Sequence, residues 1–176
     1  MCLCGEYCLS PTRTRYTGIV IRLRDYSNSD FEELYKLDQK CFEPGIAYSR
    51  AELSSYVARK ESFTIVAEES ADAANTPARK PRIVGFVTVE MHPKGYGHII
   101  TIDTHPDLRR QKLGSTLIEA AEKYVRDKDG FMVVLEVAVN NLAAITFYKR
   151  HHYSVLRKLP KYYLGKTDGL FLTKRL

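Results

Sequence analysis

Residues 98–120 constrain the fold more than any other stretch, because a strand, a turn, a basic loop and an amphipathic helix follow one another there. The apolar run at 99–102 indicates a strand, and Pro106 ends its pairing because proline has no N–H to donate. Apolar residues recur at helical spacing from Leu113 onward. The loop between them contains Arg109, Arg110 and Lys112. Such a loop before a helix favours an anion such as a phosphate, and the alternative is an ordinary connection with solvated basic side chains.

Length, composition and charge fit one globular domain. A chain of 176 residues with 44% apolar and 27% charged residues is long enough for one core and short for two. No stretch reaches the roughly 18 apolar residues of a membrane span, so no membrane partner is expected. The net charge is +6, and residues 149–176 are basic with Asp168 as their one acid. This distribution favours an acidic partner or a polyphosphate cofactor. No helix-turn-helix or RNA-binding motif accompanies it, so a nucleic-acid partner is not expected.

The first residues of the chain contain Cys2, Cys4 and Cys8. Their spacing matches none of the usual zinc or iron–sulfur patterns, so no metal is expected, and a metal clip is the alternative. We interpret this stretch as a loose, reduced tail of a cytoplasmic protein, because it also lacks the apolar core of a signal peptide. The sequence therefore predicts a disordered Cys-containing tail over 1–17 and a single domain over 18–176.

The order of predicted elements indicates a layered α/β or α+β domain with a mixed sheet. A first strand precedes two helices, and a three-strand meander, two strand–helix units and a closing hairpin follow. Ser29 and Asp30 offer an N-cap for the first helix. Ser49 and Glu52 have the spacing of a capping box for the second helix.

Alternation of side chains predicts which strand faces are buried. In the strand over 82–91, it places Val84 and Phe86 on one face. The other face then carries Ile83, Val87 and Val89. The strand over 131–139 contains Glu136 within an otherwise apolar face. Burying an unpaired charge costs several kcal/mol, so this carboxylate is a candidate general base whose pKa burial would raise. A salt bridge to a neighbouring Lys or Arg is the alternative.

Two segments carry a family resemblance. LRRQKLGSTLI and LEVAVNNLAAITFYKRHHY resemble the two signature segments of the GNAT superfamily of N-acetyltransferases, and the second is most similar to the ribosomal-protein-alanine type of N-terminal acetyltransferase. Arg109 and Gly114 match the first motif, whereas Lys112 stands where a glycine is usual. The resemblance covers residues 18–176. It implies a mostly antiparallel, twisted mixed sheet flanked by about four helices, with acetyl-CoA as co-substrate.

The resemblance also implies roles for individual residues. It places the acetyl-CoA arm and pyrophosphate along Ile102, Asp103, Thr104, Arg109, Arg110, Gln111, Lys112, Leu113, Gly114, Ser115 and Asn141. It makes Glu136 the general base and sets Tyr148 beside the thioester sulfur, although a packing role is the simpler interpretation of Tyr148 alone. The acceptor would lie between two walls formed by Phe42, Glu43, Ile46, Tyr48, Tyr162 and Tyr163. Ordinary strand alternation is the alternative for the last two tyrosines.

The expected reaction is transfer of an acetyl group from acetyl-CoA to a primary amine. An N-terminal α-amine titrates near pH 7.7–8.0 and a lysine near 10.4, so deprotonating the lysine at neutral pH costs about 3.5 kcal/mol more. A lone Glu base therefore favours the N-terminal α-amine of a protein or peptide, such as that of a ribosomal protein. A small-molecule amine such as a polyamine or antibiotic, a lysine side chain, and a non-catalytic acyl-CoA-binding domain are the alternatives. A monomer or homodimer is expected.

Overall fold

One eight-stranded sheet organises the part of the chain that the computed structural model describes, residues 13–16, 19–42, 46–71 and 81–176. In chain order the elements are β1 (Arg13–Tyr16), β2 (Ile19–Asp25), α1 (Phe31–Cys41), α2 (Arg50–Ala58), β3 (Ser62–Ala71), β4 (Arg82–His92), β5 (Tyr96–Thr104), α3 (Leu113–Asp127), β6 (Met132–Ala138), α4 (Leu142–Arg150), β7 (Ser154–Tyr163) and β8 (Thr167–Arg175). Short 3-10 helices at Asn28–Asp30 and Pro106–Leu108 precede α1 and the loop before α3. Among these ranges, no helix is long and apolar enough to cross a bilayer.

The strands lie in the order β1-β2-β3-β4-β5-β6-β8-β7, and every neighbouring pair is antiparallel except β5 and β6. The predicted mixed, mostly antiparallel sheet with four α helices in the described ranges is confirmed. Residues 13–16 were expected to belong to the tail, yet they pair with β2. This pairing needs only backbone groups, which hydrophobic patterning does not reveal. The cysteines at positions 2, 4 and 8 lie outside the described residues.

One of the two predicted helix caps is confirmed. Ser49 caps α2, its hydroxyl accepting from the N–H of Glu52 at 3.3 Å, while the Glu52 carboxylate accepts from the N–H of Ser49 at 2.9 Å. Asp30 is the N-cap residue of α1, within the predicted Ser29–Asp30 pair, but its side chain makes no cap hydrogen bond there. Ser27 instead forms a capping box with Asp30 around the preceding 3-10 helix. The Asp30 carboxylate turns back to accept from the Ser27 N–H at 2.7 Å, and Arg24 also binds it.

Two apolar cores cover the two faces of the sheet. Helices α3 and α4 cover the larger one, and α1 and α2 cover the smaller one around Leu34, Leu53 and Phe86. The predicted faces of β4 are wrong, because Val84 belongs to the larger core and Phe86 to the smaller. A register shift between β3 and β4 makes Val84 an extra residue, and this bulge reverses the alternation.

Helix α3 ties the two halves of the sheet together. Its first half lies on β4 and β5, and the buried Glu122 reaches β8, where its carboxylate accepts from the Lys174 ammonium at 2.7 Å. The Tyr153 hydroxyl donates to the same carboxylate at 3.1 Å. Near the other end of the helix, Val125 packs directly over Gly97 on β5, where a side chain would find no room.

We predict that Gly97→Ala destabilises the fold by about 1–3 kcal/mol, the usual cost of overpacking. The added methyl would overlap the Val125 side chain, and Val89 lies 3.2 Å from its position. Urea unfolding measures the loss. Gly114→Ala is the matched control, because the atoms nearest its methyl lie at an ordinary 3.4 Å. Equal losses for the two variants would contradict the packing argument.

Candidate active site

A wedge-shaped opening forms where β5 and β6 separate. The two parallel strands pair only over three rows, which join Tyr96 to Met132, Gly97 to Val133 and His98 to Val134. Beyond His98, the described residues of β5 pair only with β4, and those of β6 only with β8. The edge of each strand that faces the other is therefore open toward their carboxyl ends. An extended polar chain can bind such an edge through main-chain hydrogen bonds.

A bulge shapes the β5 side of this opening. Thr88 and Val89 of β4 pair with Thr101 and Ile99, so Ile100 is an extra residue on β5. The Tyr48 hydroxyl donates to the carbonyl of Ile100 at 3.1 Å. Bulges often occur beside active sites because they change the direction of a strand and of its backbone groups.

The loop after β5 leads into a helix that starts without a side-chain cap. Lys112 occupies the capping position, and no side chain accepts a hydrogen bond from the first turn of α3 within the described residues. Arg110 and Lys112 both have left-handed backbones, with φ of 61° and 65°. The usual glycine at position 112 suits this conformation, and the lysine adopts it nevertheless. The first N–H groups of α3 therefore have no side-chain acceptor, which suits an anion. Anion binding at this loop stays a prediction.

Helix α4 packs against this helix start. The Phe147 ring lies close to Gly114, and the Ser115 hydroxyl is hydrogen-bonded to Nε2 of His151 at 2.9 Å. The Asn141 side chain caps α4 by accepting from the N–H of Ala144 at 3.0 Å. Its carboxamide oxygen is thus engaged in the cap. Its NH₂ group is the side-chain donor that Asn141 can offer a ligand.

Glu136 forms a hydrogen-bonded pair with a residue on the other side of the opening. Its Oε2 lies 2.7 Å from Nε2 of His98, and the side chains are 16% and 32% exposed. The pair stands where β5 and β6 begin to separate. The sequence left open a salt bridge from Glu136 to a Lys or Arg. Within the described residues, its partner is instead the imidazole of His98. A His–carboxylate pair with a free carboxylate oxygen can accept a proton from a bound group.

Tyr148 is a buried phenol beside this opening. It is 7% exposed, and its ring contacts Phe147 and Tyr153 edge-on at 5.2 and 5.7 Å. Burial, and then the neighbouring Tyr163 and Asp103, raise the pKa of its hydroxyl above the ordinary value. The phenol is therefore protonated at neutral pH and can donate a hydrogen bond, whereas complete transfer of its proton is less favourable than for an exposed tyrosine.

A group of tyrosines brings the two predicted acceptor walls together. The rings of Tyr162 and Tyr163 meet at 5.0 Å, and those of Tyr48 and Tyr56 at 5.2 Å. Burial, followed by nearby tyrosines that include Tyr162 and Tyr163, raises the pKa of Tyr48. Burial also raises the pKa values of Tyr162 and Tyr163, and the Glu136 carboxylate raises them further. These mutual effects place the tyrosines and the carboxylate in one neighbourhood.

The pair Tyr162–Tyr163 departs from regular strand alternation. Consecutive side chains of a regular strand point to opposite faces, yet these two rings are in contact. Left-handed residues flank them, with φ of 52° at Lys161 and 53° at Leu164. The Asp168 carboxylate fixes this bend by accepting from the Lys161 N–H at 2.7 Å. The simple alternation considered from the sequence therefore does not describe this part of β7.

The structure thus brings most predicted site residues to one region. The strand residues 102–104, the loop 109–115, Glu136, Tyr148 and the tyrosine pair surround the opening. Phe42 is half-buried at the end of α1, Ile46 is 38% exposed, and Glu43 lies outside the described residues. Sequence reasoning did not pair His98 with Glu136 and missed Tyr56. His98 lies within β5 and Tyr56 within α2, and the pattern of a single element carries no signal of contacts with distant residues.

Comparison with known proteins places these features in context. The model of the acetyltransferase (GNAT) family matches residues 31–153. The chain is 29% identical over 127 residues to the N-terminal acetyltransferase B complex catalytic subunit NAA20 of Arabidopsis thaliana, covering 69% of this chain and 67% of the relative. Several curated relatives are matched over 60–67% of their length.

Two solved structures share the fold. The ribosomal-protein-S18-alanine N-acetyltransferase of Escherichia coli superposes with a TM-score of 0.73 at 17% identity, over 88% of this chain and 93% of that one. The PaiA N-acetyltransferase of Thermoplasma acidophilum in complex with coenzyme A gives a TM-score of 0.70 at 18% identity, over 89% and 99%. At these identities the likeness concerns the fold.

We predict that Lys112→Gly stabilises the protein by about 0.5–1 kcal/mol. A left-handed backbone costs a non-glycine residue about 1–2 kcal/mol, and the extra freedom of glycine in the unfolded chain cancels part of the gain. Lys112→Ala removes the same charge but keeps the left-handed cost, so it should give no gain. Thermal unfolding of both variants makes the comparison, and equal stabilities would contradict backbone strain at this position.

Proposed function

The chain belongs to the GNAT family of acetyltransferases, and from this premise we propose that it moves an acetyl group from acetyl-CoA to the N-terminal α-amine of a protein or peptide. The observation that carries the proposal is the opening between β5 and β6, with the His98–Glu136 pair where the strands begin to separate and tyrosines on its far side. The open strand edge and the uncapped helix belong to one half of this site. The carboxylate and the tyrosine walls belong to the other.

Acetyl-CoA fits the first half by its chemistry. Its pyrophosphate is a dianion suited to the free N–H groups at the start of α3, where the loop 109–112 adds exposed basic side chains. Its pantetheine arm carries amides that can pair with the open edge of residues 102–104. The neighbour solved with coenzyme A supports this assignment at the level of fold. The bound thioester supplies the activated acetyl group.

The His98–Glu136 pair is suited to deprotonate the incoming amine. When Nε2 of His98 carries a proton, it donates to Oε2 of Glu136 and fixes the carboxylate in place. The second carboxylate oxygen can then accept a proton from the ammonium, directly or through a water. The neutral amine attacks the acetyl carbonyl, and backbone N–H groups of β5 near Thr104 would stabilise the developing oxyanion.

Tyr148 serves the departing sulfur as a hydrogen-bond donor. A leaving thiolate resembles that of cysteine, with a pKa of about 8.5, whereas an unperturbed tyrosine titrates near 10. Burial raises the pKa of Tyr148 further. Complete proton transfer from this phenol to the thiolate is therefore uphill, and a hydrogen bond that strengthens as charge develops is the step that its position supports.

The tyrosine walls favour a peptide acceptor. Tyr162 and Tyr163 present hydroxyls on one side, and Tyr48 lies on the other side among the residues before α2. Hydroxyls of this kind can hold the backbone amides that follow a peptide N-terminus. Likeness to NAA20 of Arabidopsis thaliana supports the same class of acceptor. A ribosomal-protein acceptor, a cytoplasmic location and a monomeric or dimeric state stay predictions from the sequence.

We predict that Glu136→Gln lowers kcat by about 10²-fold or more, the usual cost of losing a general base, while acetyl-CoA affinity is unchanged. Steady-state kinetics with a peptide acceptor and calorimetric titration of CoA measure the two quantities. Glu61→Gln, the same change on an exposed turn, is the matched control and should retain wild-type kcat. Full activity of Glu136→Gln at pH 7 would exclude this carboxylate as the base and make His98 the next residue to test.

We also predict that an Ala-initiated peptide has a far higher kcat/KM than its N-terminally blocked, lysine-containing counterpart. The difference in amine pKa allows a ratio of the two kcat/KM values of up to about 300 at neutral pH.

Tyr163→Phe should raise the peptide KM about five-fold, as expected for one lost hydrogen bond, without changing the KM of acetyl-CoA. Tyr35→Phe on α1 is the control. Equal acetylation of the blocked peptide would identify a lysine acetyltransferase, and preferred turnover of spermidine would identify a small-molecule enzyme.

A further inference from the structure

Two buried carboxylates have no place in the chemistry proposed above. Asp38 of α1 is fully buried, and Asp103 of β5 is 1% exposed. Asp38 Oδ1 and Asp103 Oδ2 have no hydrogen-bond partner among the described residues. An unpartnered polar atom in a protein interior costs free energy, and an unpaired charge costs more. The arrangement of these two side chains therefore requires an explanation.

The two carboxylates belong to the same helix–strand contact. Asp38 and Cys41 are three residues apart and share the inward face of α1. Cys41 donates through its thiol to the Thr104 carbonyl at 3.3 Å, directly beside Asp103. Asp103 accepts from the Thr101 hydroxyl at 2.7 Å with Oδ1, which leaves Oδ2 as the atom without a partner.

Asp38 also anchors the acceptor wall. Its Oδ2 accepts from the Tyr48 N–H at 2.9 Å, and the side-chain amide of the next residue, Gln39, donates to the Tyr48 carbonyl at 2.8 Å. The Tyr48 hydroxyl in turn donates to Ile100 on the β5 bulge. The position of Tyr48 therefore depends on the contact between the end of α1 and β5.

Within the described ranges, no basic side chain forms an ion pair with either carboxylate. The charge of Arg109 acts to lower the pKa of Asp103, but its guanidinium donates to the Cys41 carbonyl at 3.3 Å. Two ionised carboxylates in one buried contact repel each other and lose their hydration. One retained proton removes both costs, because a neutral carboxyl can donate to its neighbour.

We propose that Asp38 and Asp103 share one proton, as a carboxyl–carboxylate pair that fastens α1 to β5 and thereby holds Tyr48 in the acceptor wall. On folding at neutral pH, the pair takes this proton from solvent. In this proposal the shared proton lies between Asp38 Oδ1 and Asp103 Oδ2, the two oxygens that otherwise have no partner among the described residues. The two carboxylates form a positioning device, because only the backbone of residues 102–104 borders acetyl-CoA in the function proposed above. The effect of the pair on acceptor binding rests on that function.

The titratable groups around the pair determine its pH dependence. Burial raises the pKa of Asp38 to about 6. Burial raises the pKa of Asp103 well above its ordinary value, and the Asp38 carboxylate raises it further. Arg109 acts in the opposite direction on Asp103. The other titratable groups that face the pair are Cys41 of α1, Tyr48 before α2 and Tyr148 of α4, and their pKa values are all raised.

The sign of the stability change follows from the raised pKa values. Between the ordinary aspartate pKa and the upper pKa of the folded pair, the folded protein holds a proton that the unfolded chain lacks. Raising the pH through this range therefore favours unfolding, by up to about tenfold in the unfolding constant per pH unit for one proton. The groups outside the pair are the same in every variant, so their contribution cancels from a difference between variant and wild type.

The first test compares unfolding constants from pH 5 to pH 8. In Asp103→Asn, the amide N–H replaces the shared proton as donor to Asp38, so this variant should lose the pair's pH slope and still fold. Asp38→Asn makes the same replacement in the other member of the pair and should also lose this pH slope. Asp129→Asn, an exposed aspartate whose left-handed backbone also suits asparagine, is the matched control and should keep the wild-type slope. A wild-type slope in both pair variants would overturn the proposal.

The second test detects the shared proton by infrared spectroscopy and measures the effect of the pair on acceptor binding by enzyme kinetics. Infrared spectra of ¹³C-aspartate-labelled wild type at pH 7 should contain the C=O band of one protonated carboxyl, and Asp103→Asn should lack it. Asp38→Leu, which offers neither donor nor acceptor, should raise the peptide KM about five-fold without altering acetyl-CoA affinity, whereas Asp38→Asn restores the wild-type KM. Absence of the band in wild type would refute proton sharing. If no peptide is acetylated at all, the proposed function fails. The infrared band and the pH dependence of the unfolding constant still test whether Asp38 and Asp103 share a proton.

Discussion

The separation of β5 and β6 is the constraint on which the rest of the structure depends. Parallel strands require a long connection, and here the connection is α3, whose start lies beside the end of β5. With only three paired rows, each strand keeps an open edge that another chain-like molecule can use. The β5 bulge, the His98–Glu136 pair and the tyrosine walls all border that opening, so one interruption of the sheet organises the site.

The start of α3 leaves its backbone N–H donors without a side-chain acceptor, at a cost in local stability. A serine or aspartate cap would satisfy the first N–H groups, and a glycine would relax the turn at position 112. The chain has neither, since Lys112 adopts a left-handed backbone and caps nothing. Local rules broken in this way are expected where a site has a function, because a helix start that is already capped cannot bind an anion.

The sequence predicted the fold more completely than the contacts within the site. Hydrophobic periodicity and the two motifs predicted the order of the elements from β2 onward. The charge of Glu136 within an apolar strand face drew attention to the carboxylate that pairs with His98. The faces of β4 were predicted wrongly because one bulge at Val84 reverses alternation without a signature in composition. The partnership of His98 with Glu136 and the contact of Cys41 with Thr104 join residues far apart in the chain. Periodicity describes one element at a time and contains no information about such pairs.

The position of β8 has a consequence for biosynthesis. β8 follows β6 and β7 in the chain, yet it lies between them and pairs with both. Until a ribosome has released residues 167–175, β6 has only its three rows with β5, and β7 has no strand to pair with among its described neighbours. The bend that brings Tyr162 and Tyr163 together also needs Asp168. A nascent chain can thus build the meander and its helices early, but the Tyr162–Tyr163 pair takes its final arrangement only when β8 is inserted.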